Sequence, residues 1–360
     1  MRVLLITGSF PPMTCGVGDY TQALARALGD QPGVNVGVLT SAGAGEDKGP
    51  YQVFPVVREW KRADLPEVKA VIERFGPDII HLQYPTAGYS NTLAWQLPML
   101  LRAFPVVQTW HEHFPGSLRL ALPHLAMSLA AGDLIVVRPD FKQRLSWWSR
   151  LLTAHKPLHL IPNAPTIPRV DLADAERSAI RRSFTPAGKS LLAFFGFLYE
   201  NKGVDDLLRI FDPARHHLVL VGEVKEEDPY QRALLHRLRQ APLAGAVTVT
   251  GFVSPLEVAR TLAAADAVVL PFRQGGGSWN TTLKAAALQG TFVLTTSQER
   301  HGFDAGANVY YARPGDLEDL GQALALHLGR RNSSSIREAA GPTWREIAER
   351  HLAVYERLLA

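Results

Sequence analysis

The sequence predicts an α/β protein made of two parallel-sheet domains. Short apolar runs alternate with segments whose apolar residues recur at helical spacing, which is typical of strands and helices in a parallel sheet. The alternation starts again after a segment with four prolines between residues 157 and 168. A length of 360 residues is more than one hydrophobic core normally serves and suits two domains of similar size.

The first half of the chain contains five predicted strands and three predicted helices. The strands are short aliphatic runs at residues 3–7, 34–39, 79–82, 105–110 and 134–137. The helices have apolar residues at helical spacing and span residues 20–28, 65–75 and 93–104. The second helix ends at Gly76-Pro77, a pair that stops helices.

The second half repeats this order. Its predicted strands are residues 191–195, 218–222, 247–250, 267–272 and 291–296. Its predicted helices are residues 204–211, 230–239, 255–264, 283–288 and 344–359. The prolines of residues 157–168 predict a stiff extended connector, so we place the domain boundary there. Two such halves predict a ligand between them, at the carboxyl ends of the strands.

Composition excludes several classes of protein. Hydrophobic content of 46% and charged content of 20% are those of a soluble globular protein. No apolar run approaches the length that spans a bilayer, and the first eight residues are too short for a signal peptide. The single cysteine, Cys15, excludes an intramolecular disulfide and a cysteine-rich zinc site. We therefore expect a cytoplasmic protein.

The net charge of +4 is a mild excess without a long basic run, so we expect no nucleic-acid partner. Residues 138–156 are a local exception, with five basic residues beside Trp147-Trp148. This pattern favours a solvated helix face with two packed tryptophans. The alternative is peripheral contact with an anionic membrane surface, at the inner face of the membrane.

The first candidate motif follows strand one and opens helix one. It contains Gly16, Val17 and Gly18 but no third glycine, so it lacks the G-x-G-x-x-G spacing of a dinucleotide site. Glycines beside a helix start let a substrate approach the backbone closely. An ordinary turn is the alternative.

The second motif is His111-Glu112-His113, at the end of a predicted strand. His111 and His113 share a face in a strand, but no third metal ligand is evident, so we expect no metal. A histidine at the carboxyl end of a central strand suits substrate contact or proton handling. An ordinary surface histidine fits the pattern equally well.

The third motif is Lys202-Gly203, between a strand end and a helix start. It places one ammonium beside backbone N–H donors, which suits a diphosphate, with a solvated lysine as the alternative.

The fourth motif is the glycine loop at residues 275–277 and the helix after it. Ser278, Asn280, Thr281 and Thr282 can cap that helix and donate to phosphate oxygens. A simple helix cap is again the alternative. All four motifs lie at strand-to-helix junctions, the edge at which such folds bind ligands.

These motifs, in this order and spacing, resemble the family 4 retaining glycosyltransferases. The resemblance runs nearly end to end and includes the strand signatures at residues 78–81, 106–112, 218–223, 249–253 and 265–271. It implies the GT-B fold, two Rossmann-like parallel-sheet domains facing across a cleft. Residues 1–165 would form the acceptor domain and 166–340 the nucleotide-sugar donor domain. Residues 341–360 would form a helix crossing back to the first domain.

The resemblance also implies roles for individual residues. Lys202 and the loop of Gly277, Ser278, Asn280, Thr281 and Thr282 would hold the departing diphosphate without a metal or other cofactor. His111 would act near the donor sugar, and Gly16, Val17 and Gly18 would contact donor or acceptor. Gly222, Glu223, Phe252 and Val253 would lie near the base and ribose. The acceptor would be a glycan, a lipid-linked sugar or a small molecule, as in polysaccharide or glycolipid biosynthesis.

The chain departs from the family pattern at the donor site. Phe197 stands where the family usually has arginine, and the family's E-x7-E pair falls on Gly277 and Ala285. Arg273, just before the loop, is a candidate compensating cation. The sequence therefore predicts a metal-independent hexosyltransferase with a variant donor site.

The same departures support an alternative function, a degenerate GT-B protein that binds nucleotide, sugar or a partner protein without turnover. A GT-B nucleotide-sugar epimerase fits less well because it needs acid/base carboxylates. A dehydrogenase fits least, since no full dinucleotide fingerprint occurs.

Overall fold

The computed structural model describes residues 1–45, 48–112, 125–185, 188–277, 280–332 and 341–360. The chain divides into two compact units, Met1–Asn163 with Pro342–Ala360, and Ala164–Gly341. The division between them falls inside the proline-rich segment 157–168, and the last helix belongs to the first unit.

The first unit is built on a seven-stranded sheet of order β3-β2-β1-β4-β5-β6-β7, and every neighbouring pair is parallel. Its strands are β1 Arg2–Ile6, β2 Asn35–Ser41, β3 Gln52–Val57, β4 Ile79–Tyr84, β5 Val106–Trp110, β6 Asp133–Val136 and β7 Leu158–Leu160. The central strands are buried on both faces, which explains their nearly continuous apolar runs.

Helices connect these strands and cover the sheet. They are α1 Gly16–Gly29, α2 Leu65–Phe75, α3 Leu93–Leu100, α4 Leu125–Leu129, α5 Phe141–Arg144 and α6 Trp147–Thr153, with a 3-10 turn at Arg62–Asp64. The sequence predicted α3 to continue to residue 104, but it ends at Leu100. Pro105 disfavours the helical conformation at Phe104, and residues 101–104 form turns that lead into β5.

Two edge strands of this sheet escaped the sequence analysis. β3 contains Pro55, and proline is tolerated in a sheet only at an edge. β7 lies within the segment predicted as a connector and contributes three residues that pair with β6. Pro55 interrupts the apolar run of β3, and β7 has only three residues, so neither shows the pattern that identifies a central strand.

The second unit has its own seven-stranded sheet, of order β10-β9-β8-β11-β12-β14-β13. Its strands are β8 Ser190–Phe195, β9 His216–Val221, β10 Val247–Val249, β11 Ala267–Leu270, β12 Val293–Thr296, β13 Gly302–Asp304 and β14 Val309–Ala312. All pairs are parallel except β13 with β14, an antiparallel edge that the sequence analysis missed.

The helices of the second unit are α7 Asp174–Phe184, α8 Val204–Ile210, α9 Pro229–Leu238, α10 Pro255–Ala264, α11 Thr281–Ala287 and α12 Leu317–His327. The sequence analysis did not predict α7 or α12. α7 buries none of its residues, so it has no strong apolar stripe to detect.

The chain ends in α13 Trp344–Leu359, which begins at a capping box in which Thr343 and Glu346 bind each other's backbone N–H. α13 packs against α1 in the first unit and buries Ile347, Ala348 and Tyr355. No helix within the described residues has both the length and the apolar character needed to cross a membrane.

Candidate functional site

Candidate residues lie in both units, at the carboxyl ends of parallel strands. In the first unit, the glycine loop follows β1 and opens α1. Gly16 is exposed and Val17 half-buried, whereas Gly18 is buried against Ser9. A Cβ atom at residue 18 would lie 2.9 Å from the carbonyl oxygen of Ser9, so Gly18 is needed for contact with the protein's own backbone.

Asp19, in the first turn of α1, was missed by the sequence analysis. Burial raises the pKa of its carboxyl to about 6. The carboxyl is therefore able to change protonation state close to neutral pH. A carboxylate directly after a glycine loop was the signal in the sequence.

His111 follows the last residue of β5 and is half-buried. Its Nε2 lies 3.0 Å from Oε1 of Gln83, and its ring centroid is 4.6 Å from that of Tyr20 in an edge contact. Burial, with a smaller effect from His351, lowers the pKa of the His111 imidazole to about 3. His111 is thus neutral at physiological pH and suited to hydrogen bonding rather than to carrying charge.

A cluster of buried polar side chains surrounds His111. His81 on β4 lies within hydrogen-bond distance of Tyr355 on α13, at 2.6 Å, and of Thr109 on β5, at 2.7 Å. His351 of α13 lies 3.3 Å from the hydroxyl of Tyr20. The sequence analysis missed this cluster. Its residues could have been recognised as polar residues within otherwise apolar segments, as in Ile79–Tyr84.

Metal ligation by His111 has no support in the described part of the chain. No group of three or more potential ligands occurs among those residues. His113, the second histidine of the motif, lies outside the described residues.

In the second unit, Lys202 lies in a 3-10 turn at Glu200–Lys202, between β8 and α8. Its ammonium is 5.4 Å from the ring centroid of Phe272. Gly203 follows with φ +74°, and a Cβ there would lie 1.9 Å from the carbonyl oxygen of Pro271. Only glycine allows the Lys202 turn to pack this closely on the loop after β11.

Arg273 ties the same two loops together. Its N–H donates to the carbonyl of Asn201. Its guanidinium binds Glu200 at 2.6 Å and Asp205 at 3.2 Å. The charge of the candidate compensating cation is therefore paired with two carboxylates.

The loop before α11 differs in detail from what the sequence suggested. The side chain of Asn280 caps the helix and accepts hydrogen bonds from the N–H groups of Thr282 and Leu283. The N–H of Asn280 itself donates to the carbonyl of Gly277. Asn280, Thr281 and Thr282 are predicted phosphate-binding residues, and two of their three backbone N–H groups are thus already used within the protein.

Several of the sequence-predicted donor residues nevertheless lie close together. The hydroxyl oxygen of Thr282 would be 3.6 Å from a Cβ atom at Gly196, at the end of β8. Gly222, at the end of β9, packs on the carbonyl of Gly196. The strand ends, the Lys202 turn and the start of α11 therefore form one region. Ser278 lies outside the described residues.

The predicted base and ribose residues follow the next strands of this sheet. Glu223 is exposed after β9, and Val253 is half-buried after β10. Phe252 is 78% exposed, an unusual state for a large aromatic side chain and one that leaves its ring available to a ligand.

The departures from the family pattern leave aromatic and apolar groups in this region. Phe197 and Tyr199 form a tilted ring pair with centroids 5.9 Å apart. Ala285 is fully buried, and the neighbouring Lys284 is buried as well, which lowers the pKa of its ammonium.

Two family models match this chain. The model described as Glycosyltransferase Family 4 matches residues 14–164, and the model described as Glycosyl transferases group 1 matches residues 189–329. A GDP-mannose-dependent alpha-mannosyltransferase from Corynebacterium glutamicum is 26% identical over 277 residues. That match covers 71% of this chain and 65% of the relative, which is less than two thirds of its length.

Solved structures share the fold at low sequence identity. Sucrose-phosphate synthase from Thermosynechococcus elongatus has a TM-score of 0.78 and 18% identity, covering 99% of both chains. HepE from Anabaena, in complex with UDP and glucose, has a TM-score of 0.71 and 16% identity, covering 99% of this chain and 100% of the other.

The predicted GT-B class is confirmed by these structures and by the two sheets of parallel-dominant topology. The two family models together span most of the sequence. The chain belongs to the family 4 glycosyltransferases.

Proposed function

We propose that this protein transfers a hexosyl group from a nucleotide-sugar donor to an acceptor hydroxyl, with retention of anomeric configuration. The observation that carries the proposal is the position of Lys202. Its turn lies at the carboxyl edge of the second sheet and packs on the loop that leads to α11. This edge is where parallel α/β sheets bind nucleotides.

The leaving group of such a reaction is a nucleoside diphosphate, whose developing negative charge must be stabilised. The ammonium of Lys202 and the hydroxyls of Thr281 and Thr282 supply positive charge and donors without a metal ion. Glu200 and Asp205 are nearby, but Arg273 pairs with both and offsets their repulsion of a phosphate. We therefore expect transfer without added metal or cofactor.

His111 would contact a hydroxyl of the reacting sugar. A neutral imidazole can both donate and accept a hydrogen bond, so it orients a hydroxyl without attracting the phosphates. Its neutral state follows from its burial beside Gln83 and Tyr20.

An anionic membrane surface is a proposed partner, with a lipid-linked acceptor. Trp147 is 77% exposed and Leu151 is 69% exposed, and their four-residue spacing places them on the same face of α6. Lys142 and Arg150 are exposed in the same segment, and no Asp or Glu occurs from residue 141 to residue 170. Apolar side chains flanked by basic ones fit a bilayer with negative headgroups. The solvated-helix interpretation predicts that both tryptophans are packed, but only Trp148 is buried.

A binding protein without turnover is the second candidate function. The specific observation in its favour is the missing carboxylate pair, since glycine and a buried alanine occupy its positions, 277 and 285. Neither side chain can accept a hydrogen bond from a sugar or ribose hydroxyl.

Calorimetric titration with UDP, GDP and ADP tests the donor site first. Micromolar binding of one nucleotide, followed by transfer or slow hydrolysis of its sugar conjugate, would support the transferase. Nucleotide binding with an intact sugar conjugate under all conditions would favour the binding protein. If none of the three binds, the donor-site assignment is wrong.

Sedimentation with lipid vesicles tests the membrane partner. Vesicles containing phosphatidylglycerol should bind the protein, and pure phosphatidylcholine vesicles should not. Trp147→Ser with Leu151→Ser should abolish binding. Leu326→Ser, which changes a 74% exposed leucine in the second unit, is the matched control and should bind as wild type. Equal binding to both kinds of vesicle, or unchanged binding of the double variant, would contradict the proposal.

A further inference from the structure

A chain of hydrogen bonds runs from the C-terminal helix to His111 through the interior of the first unit. Nδ1 of His81 lies 2.6 Å from the hydroxyl of Tyr355, and Nε2 of His81 lies 3.2 Å from Nε2 of Gln83. Oε1 of Gln83 lies 3.0 Å from Nε2 of His111. The side chains of His81, Gln83 and Tyr355 are fully buried, so water does not compete for these contacts.

In the structure the Gln83 amide turns Oε1 toward His111 and Nε2 toward His81, and this orientation sets the direction of every bond in the chain. Its oxygen can only accept, so Nε2 of His111 must carry the proton and donate to it. Its nitrogen can only donate, so Nε2 of His81 must be unprotonated and accept. Nδ1 of His81 then carries its proton and donates to the oxygen of Tyr355. The hydroxyl of Thr109 also donates to Nε2 of His81.

The same bonds determine which nitrogen of His111 is left for a ligand. A neutral imidazole carries one proton, and in His111 it is on the nitrogen that faces Gln83. Nδ1 therefore presents a lone pair. It has no hydrogen bond to any other residue that the structure describes, and the ring itself is half-buried.

We propose that Gln83 is a positioning residue that holds His111 as the Nε2–H tautomer, so that Nδ1 accepts a hydrogen bond from a sugar hydroxyl. The role of His111 rests on the proposed function, but the tautomer does not. His81 and Tyr355 orient the Gln83 amide in turn, because with the proton of His81 on Nδ1 the reversed amide would bring two acceptors together, its own oxygen and Nε2 of His81. The C-terminal helix thus acts on His111 through a continuous set of bonds.

The buried rings packed around His111 carry no charge at neutral pH. His81 on β4 and His351 on α13 have lowered pKa values because they are buried, and the pKa of Tyr20 on α1 is raised for the same reason. Two carboxylates lie close in the sequence: the exposed Glu112 next to His111, and Asp19 next to Tyr20. The pKa of Asp19, about 6, leaves it mostly ionised at pH 7. Among the contacts of His111 within the described residues, the hydrogen bond that it donates to Gln83 distinguishes the two ring nitrogens.

Nuclear magnetic resonance of the protein labelled with 15N-histidine reads the tautomer directly, without substrate. His111 is assigned by the signals that disappear in His111→Gln. The wild type should show a protonated Nε2 and an unprotonated Nδ1 for His111. Gln83→Met, which keeps the size of the side chain but removes both bonds, should shift these signals toward a mixture of tautomers. A protonated Nδ1 in the wild type, or unchanged signals in Gln83→Met, would overturn the proposal.

Gln108 offers a matched control on the neighbouring strand. It is a fully buried glutamine whose side chain bonds the carbonyl of Met127 and the indole of Trp110. Gln108→Met removes a buried amide of the same kind and should leave the His111 signals unchanged. If both variants change those signals equally, the effect is general loosening and not positioning.

Kinetics then test the consequence for turnover. Gln83→Met should lower kcat about 10- to 100-fold, the scale expected when the partner that orients a functional histidine is lost, with nucleotide affinity unchanged. Gln83→Glu places a carboxylate beside Nε2 and favours the protonated ring, so its activity should recover as pH rises. A wild-type kcat and pH profile in both variants would show that Gln83 does not position His111. Wild-type protein that shows the Nε2–H tautomer but no turnover would reject the proposed function alone.

Discussion

The guanidinium of Arg273 lies 2.6 Å from the carboxylate of Glu200 and forms its second ion pair with Asp205. Asp205 also accepts from Arg237 and from the hydroxyl of Tyr230. Arg273 is thus one member of a network that joins the Lys202 turn to α8 and α9. From its position in the sequence, Arg273 was a candidate to bind phosphate. In the structure its guanidinium already forms ion pairs with two carboxylates.

We predict that Arg273→Gln weakens nucleoside diphosphate binding by less than about 1 kcal/mol, the usual scale for a partly exposed charge. The same change should weaken nucleotide binding more in a Glu200→Gln background. There the guanidinium of Arg273 has lost its ion pair with Glu200 and can turn to the phosphates. Calorimetry on the two single variants and the double variant measures this coupling. An equal loss of nucleotide affinity on Arg273→Gln in both backgrounds would show that Glu200 does not restrain Arg273.

Lys202→Ala should weaken nucleoside diphosphate binding by about 1.5–3 kcal/mol, the scale of a hydrogen bond to a charged group. Calorimetry with the nucleotide that binds the wild type is the measurement. Lys225→Ala, an exposed lysine in the same unit, is the control and should bind normally. Wild-type affinity in Lys202→Ala would remove Lys202 from the donor site.

His111→Ala should lower the rate of transfer while the protein keeps its fold, because the imidazole is proposed to hydrogen-bond the reacting sugar and the residue is half-buried. We expect a fall of about 100-fold in kcat, at the lower end of the contribution of a positioned catalytic side chain. Circular dichroism and nucleotide titration check the fold and the donor site. His236→Ala, on the exposed side of α9, should have wild-type kinetics. A normal rate in His111→Ala would leave it an ordinary structural histidine.

Buried His351 should make the fold less stable in acid. Burial lowers its pKa from 6.5 to about 4. Between these pH values the unfolded chain binds the proton and the folded chain does not. The contribution of His351 to the free energy of unfolding is therefore complete above pH 6.5 and is lost as pH falls toward 4. The loss should be about 3 kcal/mol. The pKa of His111 is lowered as well and acts in the same direction.

Asp19 acts in the opposite direction. Its pKa is raised from 3.8 to about 6, so its contribution to stability is present at low pH and is lost as pH rises through this window. Urea unfolding of the wild type and of His351→Gln at several pH values separates the two effects. The variant should show a shallower loss of stability between pH 6.5 and 4. Parallel curves would contradict the role of His351.

Gly203→Ala should destabilise the second unit by more than the roughly 1 kcal/mol that a left-handed backbone alone costs a non-glycine residue. Its new Cβ would meet the carbonyl oxygen of Pro271 at 1.9 Å, so the Lys202 turn or the β11 loop must move. Gly245→Ala is the control, since it has φ +76° and open space around its Cβ. Equal unfolding temperatures for the two variants would show that the close contact is not needed.

Elements with strong local signals were predicted to the residue. α2 has Gly76 in the left-handed conformation at its end. α10 has Ser254 as its N-cap, a proline at its first position and a capping box to Glu257. α13 begins at the capping box of Thr343 and Glu346. These signals are contained within a few neighbouring residues, so they can be recognised without tertiary information.

Three of the four edge strands, β3, β7 and β13, were not predicted, whereas β10 was. β7 lies in a proline-rich segment and pairs with β6, and β13 forms an antiparallel pair with β14. Short edge strands are stabilised by pairing with a neighbour rather than by their own pattern. The information that makes them strands is therefore located elsewhere in the chain.

The sequence alone determined the α/β class, the position of the central strands and the placement of Lys202 and His111 after strand ends, because apolar periodicity and helix caps are local. The tertiary structure decided which groups those residues meet. His81 and Tyr355 are 274 residues apart, and Glu200 and Arg273 are 73 apart. It also showed that the side chain of Asn280 binds the N–H of Thr282, a predicted phosphate-binding residue. Such partners are chosen by packing and by the burial of polar atoms, which depend on the folded chain as a whole.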